Sequence, residues 1–286
     1  MGRSVPARPA RPQVMGLTAA PALRSIACMV ANPPRGGRAT RVLVARPVGR
    51  AGAMLRRLRA AGVAAAGLPT ARIVPAPDPR AARRALALAR GAAAIVYTSP
   101  NAVRGAQTLA PRLRPGPATA VLGIGPATVR ALARHGQVAL APAGRYDSEG
   151  LLAHPALAAR AVRGRDVLLV GAPGGRGLIA ATLARRGARV VAAEVYARAL
   201  PRWDRRHRAA LAAPGRPVLV VSSADAVDAL LRLATPRECE RLRGARAIAS
   251  SARVAAALRS AGFRHVRCAA SALAADLLAA ALSTSG

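Results

Sequence analysis

Lysine is absent from the chain, and aromatic residues make up only 2% of it. All 45 basic residues are therefore arginine, set against 11 acids for a formal charge of +34. A nucleic-acid-binding surface would gather such charge on one face beside stacking aromatics. Here arginine is spread from end to end, and Phe263, Trp203 and the three tyrosines stand apart. The pattern is that of a compositional bias, and no specific nucleic-acid partner is expected. The charge still gives any cleft an attraction for polyanions, since arginine forks match carboxylate and phosphate alike. Cysteine is scarce: Cys28, Cys239 and Cys268 show no CxxC spacing, so neither a disulfide framework nor a zinc site is indicated. His135, His154, His207 and His265 never fall at metal-ligand spacing. Long apolar runs are missing too. The best candidate, Met15 to Ala31, is interrupted by Pro21 and Arg24, so no membrane association is expected. Residues 1–39 carry no acid and no strand or helix pattern. They read as a disordered or targeting extension, or as sequence upstream of a later start at Met15 or Met29, and are set apart from the fold.

What the chain does have is 52% hydrophobic content, with a core that must be built from Ala, Leu and Val. That suits helices packed on a parallel sheet better than an aromatic-rich sandwich. The strongest signal is a duplication of domain size. Arg41 to Ala64 resembles Asp166 to Val191, each an apolar strand, a Gly/Pro loop, an amphipathic helix, a glycine and a second strand. Ala94 to Arg104 resembles Val218 to Asp228, a strand ending in two hydroxyl residues with Ala-Val opening a helix. Ala120 to Gln137 resembles Arg246 to Arg264, again strand, small-residue loop, helix and glycine. Leu43 with Leu168, Ala94 with Val218, and Val121 with Ala247 lie 125, 124 and 126 positions apart. Each unit alternates a strand with a helix of about 10 to 14 residues, the βαβ pattern of parallel sheets. The predicted fold is therefore α/β, with two similar doubly wound, flavodoxin-like lobes. Leu68 to Pro77 and Ala192 to Pro201, where Pro and β-formers replace helix pattern, are expected to cross between lobes as a two-stranded linker. One lobe, residues 73–197, would then be inserted in the other, residues 40–72 and 198–283.

Ligands of open parallel sheets collect at the carboxyl ends of the strands. Five loops qualify: Thr98 to Asn101, Gly123 to Thr128, Gly171 to Arg176, Ser222 to Asp225, and Ala249 to Ser251. Their free helix N–H groups can take carboxylates without charged side chains, and glycine permits close approach. The same Ser, Thr and Asp residues are also ordinary helix caps, and sequence alone leaves both roles open. Competing motifs fail. Gly171 to Arg176 lacks the Lys-Ser/Thr of a P-loop, and Gly123-x-Gly125-x-x-Thr128 lacks the third glycine of a dinucleotide fingerprint. No Gly-x-Ser-x-Gly elbow occurs, and Asp147 and Glu149 are placed to cap the helix that begins at Ser148.

The ordered set of VLVARP at 42–47, Tyr97 to Val103, Gly123 to Leu132 with Gly136, Asp147 to Leu152, Gly174 to Val190, and Val195 to Pro201 resembles the uroporphyrinogen-III synthase family. The likeness runs from about Arg41 to the C-terminus. It implies two α/β lobes joined by a β ladder. It also implies a lyase that cyclises hydroxymethylbilane, a linear tetrapyrrole with eight carboxylates, inverting the terminal ring and losing water. No metal or organic cofactor is implied; the implied partners are the small-molecule substrate and a hand-over from hydroxymethylbilane synthase. A monomer in the cytoplasm is expected. Tyr196 matches the family's tyrosine in the inter-lobe strand and is the expected catalytic group, hydrogen-bonding the departing hydroxyl. Ser99, Asn101, Gly125, Thr128, Ser148, Gly175, Arg176, Ser222, Ser223 and Ser251 are the expected substrate contacts. The chain departs from the family pattern at Gly177, where members often carry an acid, and at Ala249, whose loop lacks the glycine of its partner. The alternative is a two-lobed binder of small polyanions without catalysis.

Overall fold

The computed structural model describes residues 41–174 and 177–282; the N-terminal stretch set apart above, Gly175 and Arg176 lie outside the described residues. In chain order the first elements are β1 (Val42–Arg46), α1 (Gly52–Ala60), β2 (Ala65–Pro69), β3 (Arg72–Pro75), α2 (Pro79–Ala87), β4 (Ala94–Tyr97), α3 (Pro100–Leu109), β5 (Ala120–Gly123) and α4 (Pro126–Ala133). There follow α5 (Ser148–Leu152), α6 (Ala159–Val162), β6 (Asp166–Gly171), α7 (Gly177–Arg185), β7 (Arg189–Glu194), β8 (Tyr196–Ala199) and α8 (Arg205–Ala212). The chain closes with β9 (Val218–Val221), α9 (Ala224–Leu233), α10 (Pro236–Gly244), β10 (Arg246–Ala249), α11 (Ala252–Ser260), β11 (His265–Cys268) and α12 (Ala274–Leu282). The described residues divide into two compact units, a split unit of 41–70 with 202–282 and an inserted unit of 71–201.

The split unit holds a parallel sheet in the order β11-β10-β9-β1-β2, and the inserted unit a parallel sheet in the order β5-β4-β6-β7. Both sheets are buried on both faces, which is why their strands read as near-continuous apolar runs. In the split unit Leu43, Leu219 and Ala247 face one cluster with Leu230, Val254 and Leu258. Val42, Val44, Val220 and Ile248 face the other, with Met54, Leu58 and Leu277. In the inserted unit Ile95, Tyr97, Leu168 and Val170 pack with Leu86, Val103 and Leu132, while Val96, Leu122 and Val167 pack with Leu151, Ile179 and Leu183.

The duplication reappears as registers. Val42 pairs with Ala65 and Val167 with Val190; Val218 pairs with Val42 and Ala94 with Val167; Arg246 pairs with Val218 and Ala120 with Ala94. Each pair maps onto its counterpart through the offsets of 124 to 126 seen in the sequence. The copies are exchanged, because each sheet takes two strands from one copy and the rest from the other. The split sheet's fifth strand, β11, is matched in the inserted unit only by a single parallel bridge from Leu122 to Leu140. Within the inserted unit β3 and β8 form a two-stranded antiparallel sheet, Arg72 opposite Ala199 and Pro75 opposite Tyr196.

α3 and α9 reach the lower end of the 10 to 14 residues the pattern predicts, and the other repeated helices are shorter. Together the helices of the duplicated units run 8 to 10 residues. Serine side chains cap α3, α9 and α11, and proline stands just inside α3 and α4. The helices α1, α4, α7 and α11 are followed by Gly62, Gly136, Gly187 and Gly262, all with φ between 70° and 85°. A left-handed residue ends the helical ladder, and only glycine adopts it freely. Among the described residues no helix is long and apolar enough to cross a membrane.

Candidate functional site

The carboxyl edge of the inserted sheet brings two of the expected residues into contact. Ser99 follows β4 and caps α3, its Oγ accepting from the Ala102 N–H at 3.1 Å. The same Oγ lies 3.0 Å from the hydroxyl of Tyr196, which opens β8 and is 3% exposed. The approach depends on a residue the sequence did not single out. Gly105, in the middle of α3, faces the main chain just before Tyr196, and a Cβ there would stand 2.5 Å from the Val195 carbonyl oxygen. Glycine in a helix interior costs about 1 kcal/mol against alanine. That local cost was the available clue. Here the missing side chain lets the helix lie against the strand and carries its cap to Tyr196.

Neighbouring loops are closely fitted. Thr98 donates from Oγ1 to the Val170 carbonyl at 3.1 Å, and a Cβ on Gly171 would meet that Oγ1 at 2.6 Å. Gly125 caps α4, with Thr128 N–H donating to its carbonyl at 2.9 Å and the Thr128 side chain buried. Tyr146 stands beside Gly125, where a Cβ would come within 3.2 Å of its own Cβ; of the chain's five aromatics it alone is exposed, at 57%. Asn101, at the start of α3, accepts from the Arg104 guanidinium. Asp147 caps α5 through the Gly150 N–H at 2.8 Å, as the sequence predicts, and also pairs with Arg145 at 2.7 Å. Ser148 opens the same helix, wholly buried, its Oγ without a hydrogen-bond partner among the described residues. The phenol of Tyr97 is also buried and unpartnered, and burial pushes it up to about 12.

The split unit presents the equivalent edge with different side chains. Ser223 caps α9 and Ser251 caps α11, accepting from Ala226 and Val254 N–H groups at 3.3 and 3.4 Å. Ser222 is half-buried at the end of β9, and Ser250 is buried. Three of the expected contact residues, Ser99, Ser223 and Ser251, thus serve as helix caps, the other role that sequence left open. Capping uses one lone pair and leaves each hydroxyl able to meet a ligand. Gly175 and Arg176 lie outside the described residues. Among the described residues no three His, Cys, Asp or Glu side chains gather as metal ligands.

Parallel sheets with strand-end loops of hydroxyl and glycine residues define an α/β protein equipped for a small polar ligand at its carboxyl edges. The family model described as uroporphyrinogen-III synthase HemD matches residues 52–279, and the chain belongs to that family. The fold is similar to that of a selenomethionine mutant of the Thermus thermophilus uroporphyrinogen III synthase, at 22% identity and TM-score 0.57 over 85% of this chain and 97% of that one. It is similar also to the uroporphyrinogen-III synthetase of Helicobacter pylori, at 16% identity and TM-score 0.57 over 86% of this chain and 100% of that one. No curated protein matches the chain.

Proposed function

We propose that this chain performs its family's reaction, the cyclisation of hydroxymethylbilane to uroporphyrinogen III with inversion of the terminal ring and loss of water, at the Ser99–Tyr196 edge. The observation that supports this placement is the 3.0 Å contact between the two hydroxyls in a chain whose family membership is established. The two units serve as the lobes of the enzyme, with the β3–β8 ladder where the chain passes from one to the other.

The chemistry follows from how the two hydroxyls divide their protons. Ser99 Oγ already accepts from the Ala102 N–H, so its own O–H can be given to the phenol oxygen of Tyr196. The Tyr196 proton is then free to hydrogen-bond the substrate's hydroxymethyl oxygen, which leaves as water with the C–O electron pair. The resulting cation is stabilised by the adjoining pyrrole nitrogen. Attack by the substituted carbon of the terminal ring forms a spiro intermediate, whose rearrangement inverts that ring. The proton supplied at departure is returned when the last ring regains aromaticity, so only water is lost overall. The protein's main contribution is geometric: unaided closure joins the wrong carbon, and holding the chain folded selects the other. Ser99, Asn101, Gly125, Thr128 and Ser148 of the inserted unit, and Ser222, Ser223 and Ser251 of the split unit, are the proposed contacts for the carboxylates and their chains. Gly175 and Arg176, which lie outside the described residues, complete the proposal.

Incubation with enzymatically generated hydroxymethylbilane, followed by oxidation and separation of porphyrin isomers, tests the reading. The type III isomer is expected. Type I alone, as in buffer, would overturn it.

A further inference from the structure

The two sheets end differently at one equivalent place. Arg46 closes β1 opposite Pro69, and Gly171 closes β6 opposite Glu194; both pairs are related by the same offset of 125. The main chain repeats as well, since Thr70 N–H donates to the Arg46 carbonyl at 3.1 Å and Val195 N–H to the Gly171 carbonyl at 3.0 Å. At Gly171 the space is filled from within by the Thr98 hydroxyl, bonded to Val170. At Arg46 a guanidinium occupies the edge, and its Nε is buried with no hydrogen-bond partner among the described residues. A buried donor on a charged group left unpaired is costly, and such a group in a folded chain calls for an anion that the chain itself does not supply.

The neighbours of Arg46 suit a carboxylate. Arg46 falls on the face of Val42 and Val44; Ser222 continues the face of Val218 and Val220, and Ser250 that of Ile248. Because Ala45, Val221 and Ala249 are in register across β1, β9 and β10, the three residues that follow them form a row at the sheet's carboxyl edge. A planar fork with one hydroxyl on the next strand and a second on the strand beyond is a geometry for a carboxylate's two oxygens. We propose that Arg46, with Ser222 beside it and Ser250 one strand beyond, is a carboxylate-binding site that holds one acidic side chain of the tetrapyrrole. The assignment rests on the proposed function for the identity of the ligand. Its role is positioning, not proton transfer.

The test uses the full chain and uroporphyrinogen III, kept reduced, titrated calorimetrically into wild type, Arg46→Gln, Arg46→Lys and the exposed control Arg57→Gln. Arg46→Gln is expected to raise Kd, and the KM for hydroxymethylbilane, about tenfold or more, as loss of a hydrogen bond to a charged group does. Turnover should stay within about threefold and the product should remain type III, because an uninvolved step is untouched. Arg46→Lys should recover part of the affinity, and should do so even if the glutamine variant folds poorly. The melting temperature of Arg46→Gln should not fall, since no internal bond is lost. Equal Kd for wild type and Arg46→Gln would overturn the proposal. So would an equal loss in Arg57→Gln, which would assign the effect to the general positive field, or a lysine variant no better than glutamine. Failure of the catalytic reading is seen separately, as type I product from wild type, and leaves the Kd comparison to decide this one.

Discussion

The inserted and split units have one backbone plan and two chemistries. Strand order and register agree at three interfaces, yet the edges where ligands collect diverge residue by residue: Tyr97 against Val221, Gly171 against Arg46, Gly105 against Ala229. A parallel sheet buried on both faces holds its register because a one-residue slip would exchange the side chains fitted to two different cores. The strand ends carry no such constraint. Duplication thus kept what the core requires and left the loops free to differ, so that one edge carries a paired phenol and serine and the other a guanidinium whose Nε has no partner among the described residues.

The largest effects should be those that treat the units alike. Leu43→Ala and Leu168→Ala remove equivalent, fully buried side chains, and each should cost about 2–5 kcal/mol in denaturant unfolding. A difference of more than a couple of kcal/mol between them would show that the two cores are not equivalent. The next change should break the symmetry. Gly105→Ala places a methyl against the Val195 carbonyl and should cost about 1–3 kcal/mol while parting Ser99 from Tyr196. Isomer yield should fall with it, even though the matching position in the split unit is already an alanine, Ala229. An active Gly105→Ala enzyme would remove the Ser99–Tyr196 contact from the mechanism.

Ser99→Ala and Ser223→Ala sharpen the comparison further. Both delete a helix cap and should cost about 1 kcal/mol each in thermal or chemical unfolding. Only the first should cut turnover steeply, and Tyr196→Phe should share that loss, at least about tenfold in kcat. The smallest effect at neutral pH belongs to Tyr97→Phe, which removes a hydroxyl with no partner and should leave stability unchanged or slightly raised. The difference appears in alkali. The folded chain holds the Tyr97 proton up to about 12, whereas an unfolded tyrosine releases it near 10. The wild-type contribution is thus fully present below about pH 10 and is lost as pH rises towards 12, by on the order of 2 kcal/mol. Denaturation curves of the two proteins between pH 8 and 11 should diverge accordingly; parallel curves would show that the phenol is not protected.

The fold was largely legible in the sequence, because the offsets of 125, 124 and 126 are the same offsets that relate the strand registers. The loops were found for the same reason, as interruptions between repeated strands and helices. Four of the six repeated helices fall short of the expected length because glycine in the left-handed region ends each of those four where apolar periodicity continues. The site was legible only in part. Ser99, Ser223 and Ser251 could be named from their turns, but a helix N–H that binds a cap and one that binds a ligand call for the same side chain. The Ser99–Tyr196 contact joins positions 97 apart through a glycine whose purpose is visible only against Val195. Arg46 was invisible for a simpler reason. Among 45 arginines no single one stands out until its surroundings show a buried Nε with no partner among the described residues.

The exchange of strands between copies also sets an order of assembly during synthesis. Every strand of the inserted sheet lies between residues 94 and 194, so that sheet has all its parts once this stretch has emerged from the ribosome. The split sheet must wait. Val42 pairs with Val218, which is made 176 residues later, a delay of about 10–35 s at ordinary rates of elongation. Throughout that interval β1, an apolar strand meant to lie between two others, has β2 and no second neighbour. Ribosome-bound chains halted with 71–201 exposed but β9 still unmade should therefore protect the inserted strands from proteolysis while leaving β1 open to cleavage. Cleavage of both alike would show that neither sheet forms before the chain is complete.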